Sequence, residues 1–257
     1  MLVAALDTAT LTLSCALCEV RGGEVALVTE GTERAPAKPG PQGPRGGHGA
    51  RLPAALTDLL VAADRKLADV EGYAIGIGPG SFTGLRIGLA TWKGLAYASR
   101  RPIAGTSSLA AMALAAAPEA GEGALLLPLL DAKKGEVYAG FYRAEGRTVV
   151  AVAPEEALAP AALAARVAAL AADGARPLAF GGGLDAYRDA LAAVPALAGV
   201  ETPPALAVAR LCARALEGAA YDAARLFALE PHYVRASEAE LKFPHGHGPG
   251  AEAGAKR

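Results

Sequence analysis

The segment Gly78-Pro79-Gly80-Ser81-Phe82-Thr83-Gly84 follows the apolar run Tyr73–Ile77 and opens a helix-compatible stretch that ends near Ser99. Strand, glycine-rich turn and helix start gather backbone N–H groups, and such a gathering can hold a phosphate or another anion. The same order also serves as a plain tight connection. Gly78 and Gly80 allow positive φ, and Ser81 or Thr83 supplies an N-cap. Residue physics alone favours the plain connection.

Two aspartates, Asp7 and Asp131, each end an apolar run. Each could face a nucleotide, or could cap a turn at the end of a strand with no ligand. A phosphate hairpin wants glycine beside the aspartate, so that N–H groups reach phosphate oxygens without a Cβ in the way. Asp7-Thr8-Ala9-Thr10 and Asp131-Ala132-Lys133-Lys134 have none. We read both as turn residues and keep Gly181-Gly182-Gly183, after the strand-like Pro177–Phe180, as a weak nucleotide signal. A helical metal site needs two ligands one turn apart; His48 is followed four residues on by Leu52. His48 reads as a surface histidine near a helix start, or as a polar contact to a partner. His232 stands beside Pro231, and His245 and His247 lie in a Gly/Ala-rich tail, so no metal site is expected. Ser81 is not in a G-x-S-x-G elbow, because the residue two before it is Pro79. Cys15 and Cys18 form C-x-x-C in a strand-like run, which sends them to opposite faces. With Cys212 they read as small buried hydrophobes in a reducing compartment.

These residues need elements to position them, and a repeat supplies the plan. A shift of 124 residues, the difference between Leu6 and Leu130, places Leu6-Asp7 on Leu130-Asp131, Gly22 on Gly146 and Val25 on Val149. Both copies read as a three-strand meander: Leu2–Leu6, Leu11–Val20, Glu24–Thr29, then Ala124–Leu130, Glu136–Tyr142, Thr148–Val152. Helix, strand and helix follow each, at Arg51–Asp64, Tyr73–Ile77, Thr83–Ser99 and at Ala161–Ala171, Pro177–Phe180, Leu184–Ala193. Meanders pair antiparallel and helical crossovers pair parallel, so the fold class is α/β with mixed sheets. Helices are also expected at Leu206–Gly218 and Tyr221–Leu229. The stretch Ala35–Gly49 holds nine Pro or Gly and reads as a loop. Residues 236–257 read as a disordered tail.

Hydrophobic residues make up 53% of 257, enough for a large core, but aromatics are only 5% and much of the rest is alanine. Alanine buries little area, so helices must approach closely to profit. The net charge of −1 gives no overall electrostatic footprint for nucleic acid. No targeting segment and no apolar run of ~20 residues is visible, and a cytoplasmic, membrane-free protein is expected.

On a helical wheel, Gly84–Ala98 is apolar through roughly 220°, twice the usual stripe. Leu85, Leu89, Trp92 and Ala96 make one face. Gly84, Ile87, Gly88, Thr91, Gly94, Leu95 and Ala98 make a second face of mostly small residues, and Ala54 and Val61 make a minor patch on the helix 51–64. Either both helices are buried within the chain or they form an interface.

The block Gly78–Ala96 closely resembles the signature of the TsaB (YeaZ) family. Leu2–Thr10, His48–Leu52, Leu130–Tyr138 and Pro231–Arg235 agree in order with it. The resemblance implies two tandem actin-like (ASKHA, ribonuclease H-like) domains with mixed five-stranded sheets, about 1–105 and 106–235, the last helices returning to the first. It implies a non-catalytic subunit that scaffolds a catalytic TsaD subunit, through the helices 51–64 and 83–99, for threonylcarbamoylation of the adenosine beside the tRNA anticodon. The ATPase TsaE is a further implied partner, tRNA an indirect one, and a homodimer an option for the chain alone. ATP serves the pathway, and no cofactor is assigned to this chain. TsaD relatives carry the paired histidines that Leu52 interrupts here. The resemblance leaves Asp7, Asp131, Gly181 and Gly182 as vestigial nucleotide-facing positions and names no catalytic residue. The alternative is a stand-alone actin-like ATPase or small-metabolite kinase.

Overall fold

A computed structural model describes residues 1–34, 48–171 and 174–235. The loop expected before the first helix, apart from its last residues, and the tail at 236–257 lie outside the described residues, as do His245 and His247; of His48 only the backbone is described.

The first half forms a sheet of β1 (Leu2–Asp7), β2 (Thr12–Arg21), β3 (Glu24–Arg34), β4 (Gly72–Gly76) and β5 (Ile103–Thr106) in the order β3-β2-β1-β4-β5. β1, β2 and β3 pair antiparallel, and β1-β4-β5 pair parallel through α1 (His48–Ala62) and α2 (Phe82–Ser99). After α3 (Ser108–Ala120), the second half repeats the plan with β6 (Leu125–Lys133), β7 (Glu136–Glu145), β8 (Thr148–Leu158), α4 (Pro160–Ala171), β9 (Pro177–Phe180) and the short α5 (Gly182–Ala186). Its sheet runs β8-β7-β6-β9. The chain ends with α6 (Ala205–Leu216) and α7 (Ala223–Ala228).

The 124-residue register holds through the two meanders but not beyond them, since β4 starts at Gly72 and β9 at Pro177. Thr12 and Glu136 start β2 and β7, Glu24 and Thr148 start β3 and β8, and the hairpin glycines Gly22 and Gly146 both take positive φ. The second sheet corrects the expectation of five strands, for it has four among the described residues. Where a fifth would lie there is only an isolated parallel bridge, Ala179 to Ala196. The stretch after α5 is a 3-10 turn, Arg188–Leu191, so the expected helix Leu184–Ala193 is broken.

Side chains alternate cleanly across the layers. Leu2, Ala4 and Leu6 of β1 pack under α1, α2 and α7 with Leu52, Leu56, Trp92 and Leu226, while Val3 and Ala5 face α6 and Ala111 and Leu114 of α3. In β6, Leu126 and Leu130 face α3, and Leu125, Leu127 and Leu129 face α4 and α5. The molecule is therefore layered, with a seam of α3 and α6 between the two sheets. Cys15 and Cys18 fall in different clusters on opposite faces of β2, and burial pushes both thiols, and that of Cys212, up to about 12. Trp92, buried on α2, donates its indole N–H to the Ala4 carbonyl at 3.1 Å and meets Tyr73 edge-on. No described helix is long and apolar enough to cross a membrane.

Of the two N-cap candidates it is Ser81 that caps α2, its Oγ accepting from Gly84 N at 3.2 Å. Gly84 and Gly88 do not line an outer face, and here the sequence reading is corrected. Both are buried, and a Cβ at Gly88 would overlap Thr8 Oγ1 and lie 3.3 Å from Leu6 Cδ2. Thr8 donates to the Gly84 carbonyl at 2.9 Å. The small residues admit the end of the chain's own first strand. Gly88→Ala is accordingly expected to cost about 1–3 kcal/mol through overpacking. Gly94→Ala, on the exposed side with no atom near the added methyl, should instead stabilise by up to about 1 kcal/mol. Thermal denaturation of the two variants checks the pair, and a tolerated Gly88→Ala would contradict the packing.

Candidate functional site

Asp7 ends β1 and is 1% exposed. Its Oδ1 accepts from Ala9 N at 2.8 Å and its Oδ2 from Ser108 Oγ at 2.6 Å. Ser108, at the start of α3, also accepts from Gly78 N at 3.2 Å, and its own N–H donates to the Gly78 carbonyl at 2.8 Å. A Cβ on Gly76 would overlap Asp7 Oδ2, and one on Gly80 would overlap the Ala9 carbonyl. The glycine-rich loop is thus fitted to the β1 end, and three of its N–H groups are used inside the chain. Gly78 N goes to Ser108, Ser81 N to Ala9 O at 2.7 Å, and Gly84 N to Ser81. This geometry supports the plain-connection reading of the loop. Burial pushes the Asp7 carboxyl up to about 7, against the lowering effect of its two hydrogen bonds.

Asp131 is half-buried and caps its own turn, accepting from Lys133 N at 2.7 Å and Lys133 Nζ at 2.6 Å. Lys133 and Lys134 take left-handed φ in that turn. The glycine triplet packs on β6. A Cβ at Gly181 would overlap the Leu129 carbonyl, one at Gly183 would lie 2.8 Å from the Leu130 carbonyl carbon, and Gly182 N donates to Glu201 O at 3.0 Å. The space these glycines leave free is occupied by the chain itself. Both aspartates make the turn contacts expected of strand-ending residues, and the structure does not bring Asp131 into the buried cluster of Asp7.

A second polar cluster had no signal in the sequence. Glu155 of β8 accepts at Oε1 from both Ser107 Oγ and Tyr142 OH, while His232 Nε2 lies 3.1 Å from its Oε2. Ser107 simultaneously caps α3, accepting from Leu109 N and Ala110 N at 3.1 Å each. Burial and the neighbouring Glu155 carboxylate push the Tyr142 phenol up. His232 N donates to Ile77 O at 2.7 Å, so the C-terminal segment is pinned beside the glycine-rich loop. Arg235 continues this strap to the second sheet through Glu136 Oε2 at 2.7 Å and Ala132 O at 3.0 Å. Four residues from four separate elements share no motif, and only the fold unites them.

The outer surface of α1 and α2 retains most of the apolar face read from the wheel. Ala54 and Ala98 are exposed, and Val61 is 73% exposed. Ile87, Thr91 and Leu95 are half-buried. Leu95 rests on the core beneath α2, Thr91 Oγ1 donates to Ile87 O at 2.8 Å, and Ile87 lies under Gly49 of α1. The residues read as interface therefore remain available at least in part, except Gly84 and Gly88, which do not.

The Asp7 cluster generates a pH signature. Its folded carboxyl titrates near 7, above the ordinary value near 4, so between these limits the folded state binds the extra proton. Stability from this group is greatest below about pH 4 and declines as pH rises to about 7. The difference in urea midpoint between wild type and Asp7→Asn should follow that slope across pH 4–7. Parallel curves would show that Asp7 is ionised in the folded chain throughout.

Against known proteins, a family profile described as TsaD, tRNA N6-adenosine threonylcarbamoyltransferase, matches residues 41–242. The chain is 36% identical over 143 residues to the tRNA threonylcarbamoyladenosine biosynthesis protein TsaB of Escherichia coli, covering 56% of this chain and 55% of that one. It is 30% identical over 197 residues to the Bacillus subtilis TsaB, covering 76% and 83%. The match therefore spans about half the length of the Escherichia coli relative and most of the Bacillus subtilis one. The solved structure of YeaZ from Pseudomonas aeruginosa superposes with a TM-score of 0.70 at 29% identity, covering 90% of this chain and 99% of that one. The tandem mixed-sheet plan, the glycine-rich loop locked onto β1 and these matches agree, and the chain belongs to the TsaD-related proteins of this profile, in the TsaB (YeaZ) family.

Proposed function

We propose that this chain is a non-catalytic subunit of a cytoplasmic tRNA threonylcarbamoyladenosine transferase complex, holding a TsaD-type catalytic partner for modification of the adenosine beside the anticodon. The match to relatives named for this biosynthesis carries the reading. The outer α1–α2 face supports the form it takes. Val61 stands in solvent as a large β-branched apolar residue, with Ala54 and Ala98 exposed on the same pair of helices and Ile87, Thr91 and Leu95 half-covered. Docking a second helix pair there removes apolar surface from water, and a typical stable interface buries about 1,600 Å² in total. Asp7, Asp131, Gly181 and Gly182 have positioning roles within the chain, and no catalytic residue is assigned. The chemistry resides on the partner, a TsaE-type ATPase is a further member, and the lone chain uses the same face when it dimerises.

The isolated chain, incubated with ATP, threonylcarbamoyl-AMP and tRNA, is expected to modify nothing, and adding the TsaD partner should restore modification. Robust product from the chain alone would overturn the reading. Within the complex, Val61→Glu places a charge in the interface and should weaken partner association about tenfold or more, at about 1.4 kcal/mol per tenfold. The melting temperature of the lone chain should hold, because the side chain is exposed. Unchanged affinity for the partner would remove α1 from the interface.

A further inference from the structure

Aromatic residues are scarce in this chain, five Phe, seven Tyr and one Trp in 257 residues. Yet among the described residues the exposed aromatics gather in one place. Phe82 and Tyr97 on α2, and Phe227 and Tyr233 on the C-terminal segment packed against it, are 41%, 49%, 63% and 42% exposed, whereas the other exposed large apolar side chains described are aliphatic. Phe82 stacks on Tyr233 with centroids 5.3 Å apart, and Tyr97 meets Phe227 at 6.1 Å.

Cations are threaded through this stripe. Arg86 lies 3.8 Å over the Phe82 ring and donates from Nε to Tyr233 OH at 3.0 Å. Lys93 sits 6.0 Å from the Phe227 centroid, and Arg100, which ends α2, is 5.6 Å over Tyr97 and 5.1 Å over Tyr221. α2 contains no acidic residue in eighteen. Of the two carboxylates at 221–235, Asp222 is engaged by Arg225 and the start of α7, which leaves Glu230. The overall charge of −1 therefore hides a local excess of positive charge. Residues 82, 86, 93, 97 and 100 fall on one edge of the helix, about 165° from the centre of the apolar interface face at 100° per residue. The stripe is about 27 Å long at 1.5 Å per residue.

Cations alone would suit any acidic surface. Alternation of aromatic rings with guanidinium and ammonium groups along an acid-free helix suits a partner that carries both phosphates and flat, unpaired bases. We propose that this stripe is a contact surface for a single-stranded or looped RNA segment, with Arg86 and Arg100 at the backbone and Tyr97, Phe227 and Tyr233 stacking on bases. Identifying that RNA with the substrate tRNA rests on the function proposed above; the contact surface itself does not. The stripe adds a direct contact to a chain whose composition points only to an indirect one.

The test is fluorescence anisotropy of the full chain with a labelled oligouridylate of about 12 nucleotides, a length within the usual single-strand site range, and with an RNA duplex of the same length. The single strand should bind more tightly than the duplex, with affinity falling as salt rises. Arg100→Gln should reduce the salt slope by about 0.7, as for one lost phosphate contact on a single strand, and Arg86→Gln should do the same. Phe227→Ser, at the most exposed ring, should weaken binding about five- to hundredfold while leaving the melting temperature within a few degrees. Undetectable binding at low salt, equal affinity for the duplex, or binding indifferent to all three variants would overturn the proposal. So would loss of TsaD association by these variants with RNA binding absent, since the stripe would then be a protein interface. Failure of the chain to associate with a TsaD partner while it still binds the single strand would count against the function proposed above and leave this surface standing.

Discussion

The end of β1 has no spare room. Asp7, Thr8 and Ala9 are enclosed by Gly76, Gly80 and Gly88, and at each of those glycines a methyl group would overlap a side-chain or carbonyl oxygen of the strand end. Close packing of this kind fixes geometry more strongly than any single bond, because interiors tolerate neither voids nor overlaps. It sets the start of α2, through the Thr8 bond to Gly84, and it sets α3, through the Asp7 bond to Ser108. The two helices leave this point in different directions, one along the first sheet and one to the second. Substituting the buried carboxyl or one of these glycines therefore disturbs both halves of the molecule.

Much of this architecture can be read from residue order. The meanders repeat at 124 residues because strand alternation and hairpin glycines recur at fixed offsets, and Ser81 announces the start of α2. β5 and α3 escape such a reading. α3 is Ala-rich and buried on two sides, with Leu109 and Met112 toward the second sheet and Ala111 and Leu114 toward the first, so it has no polar stripe to mark its period. The Gly84–Gly88 edge shows a different limit. A row of small residues reports that a backbone comes close, and the row is the same whether that backbone belongs to another chain or to β1. The Glu155 cluster is illegible for a third reason, since Ser107, Tyr142, Glu155 and His232 become neighbours only when two sheets and a C-terminal strap have assembled.

Tandem repeats suggest two separable bodies, but the packing here is crossed. α6, from the end of the chain, covers the inner face of the first sheet, while α3, from the middle, covers the second and also touches the first. Ser14 of β2 reinforces the crossing by accepting from Ala205 N at 2.9 Å, in the first turn of α6, and Cys212 reaches the Ala104 carbonyl of β5. The strap at 229–235 adds a second tie, from Ile77 across Glu155 to Glu136. The outer face of α1 and α2 is left out of these ties, and it can be occupied without disturbing them.

The position of α6 also bears on biosynthesis. Ribosomes deliver the chain from the N-terminus at about 5–20 residues per second. Strands β1 to β3 are complete by Arg34, but the helix that covers their inner face is residues 205–216. For on the order of ten to thirty seconds, Val3, Ala5, Ala16 and Cys18 lack on that side the cover of α6 and have only the edge contact of Ala111 and Leu114 on α3. The first sheet of this protein is thus made first and finished last, and a nascent chain halted before Ala205 presents an apolar sheet face to whatever else binds emerging polypeptides.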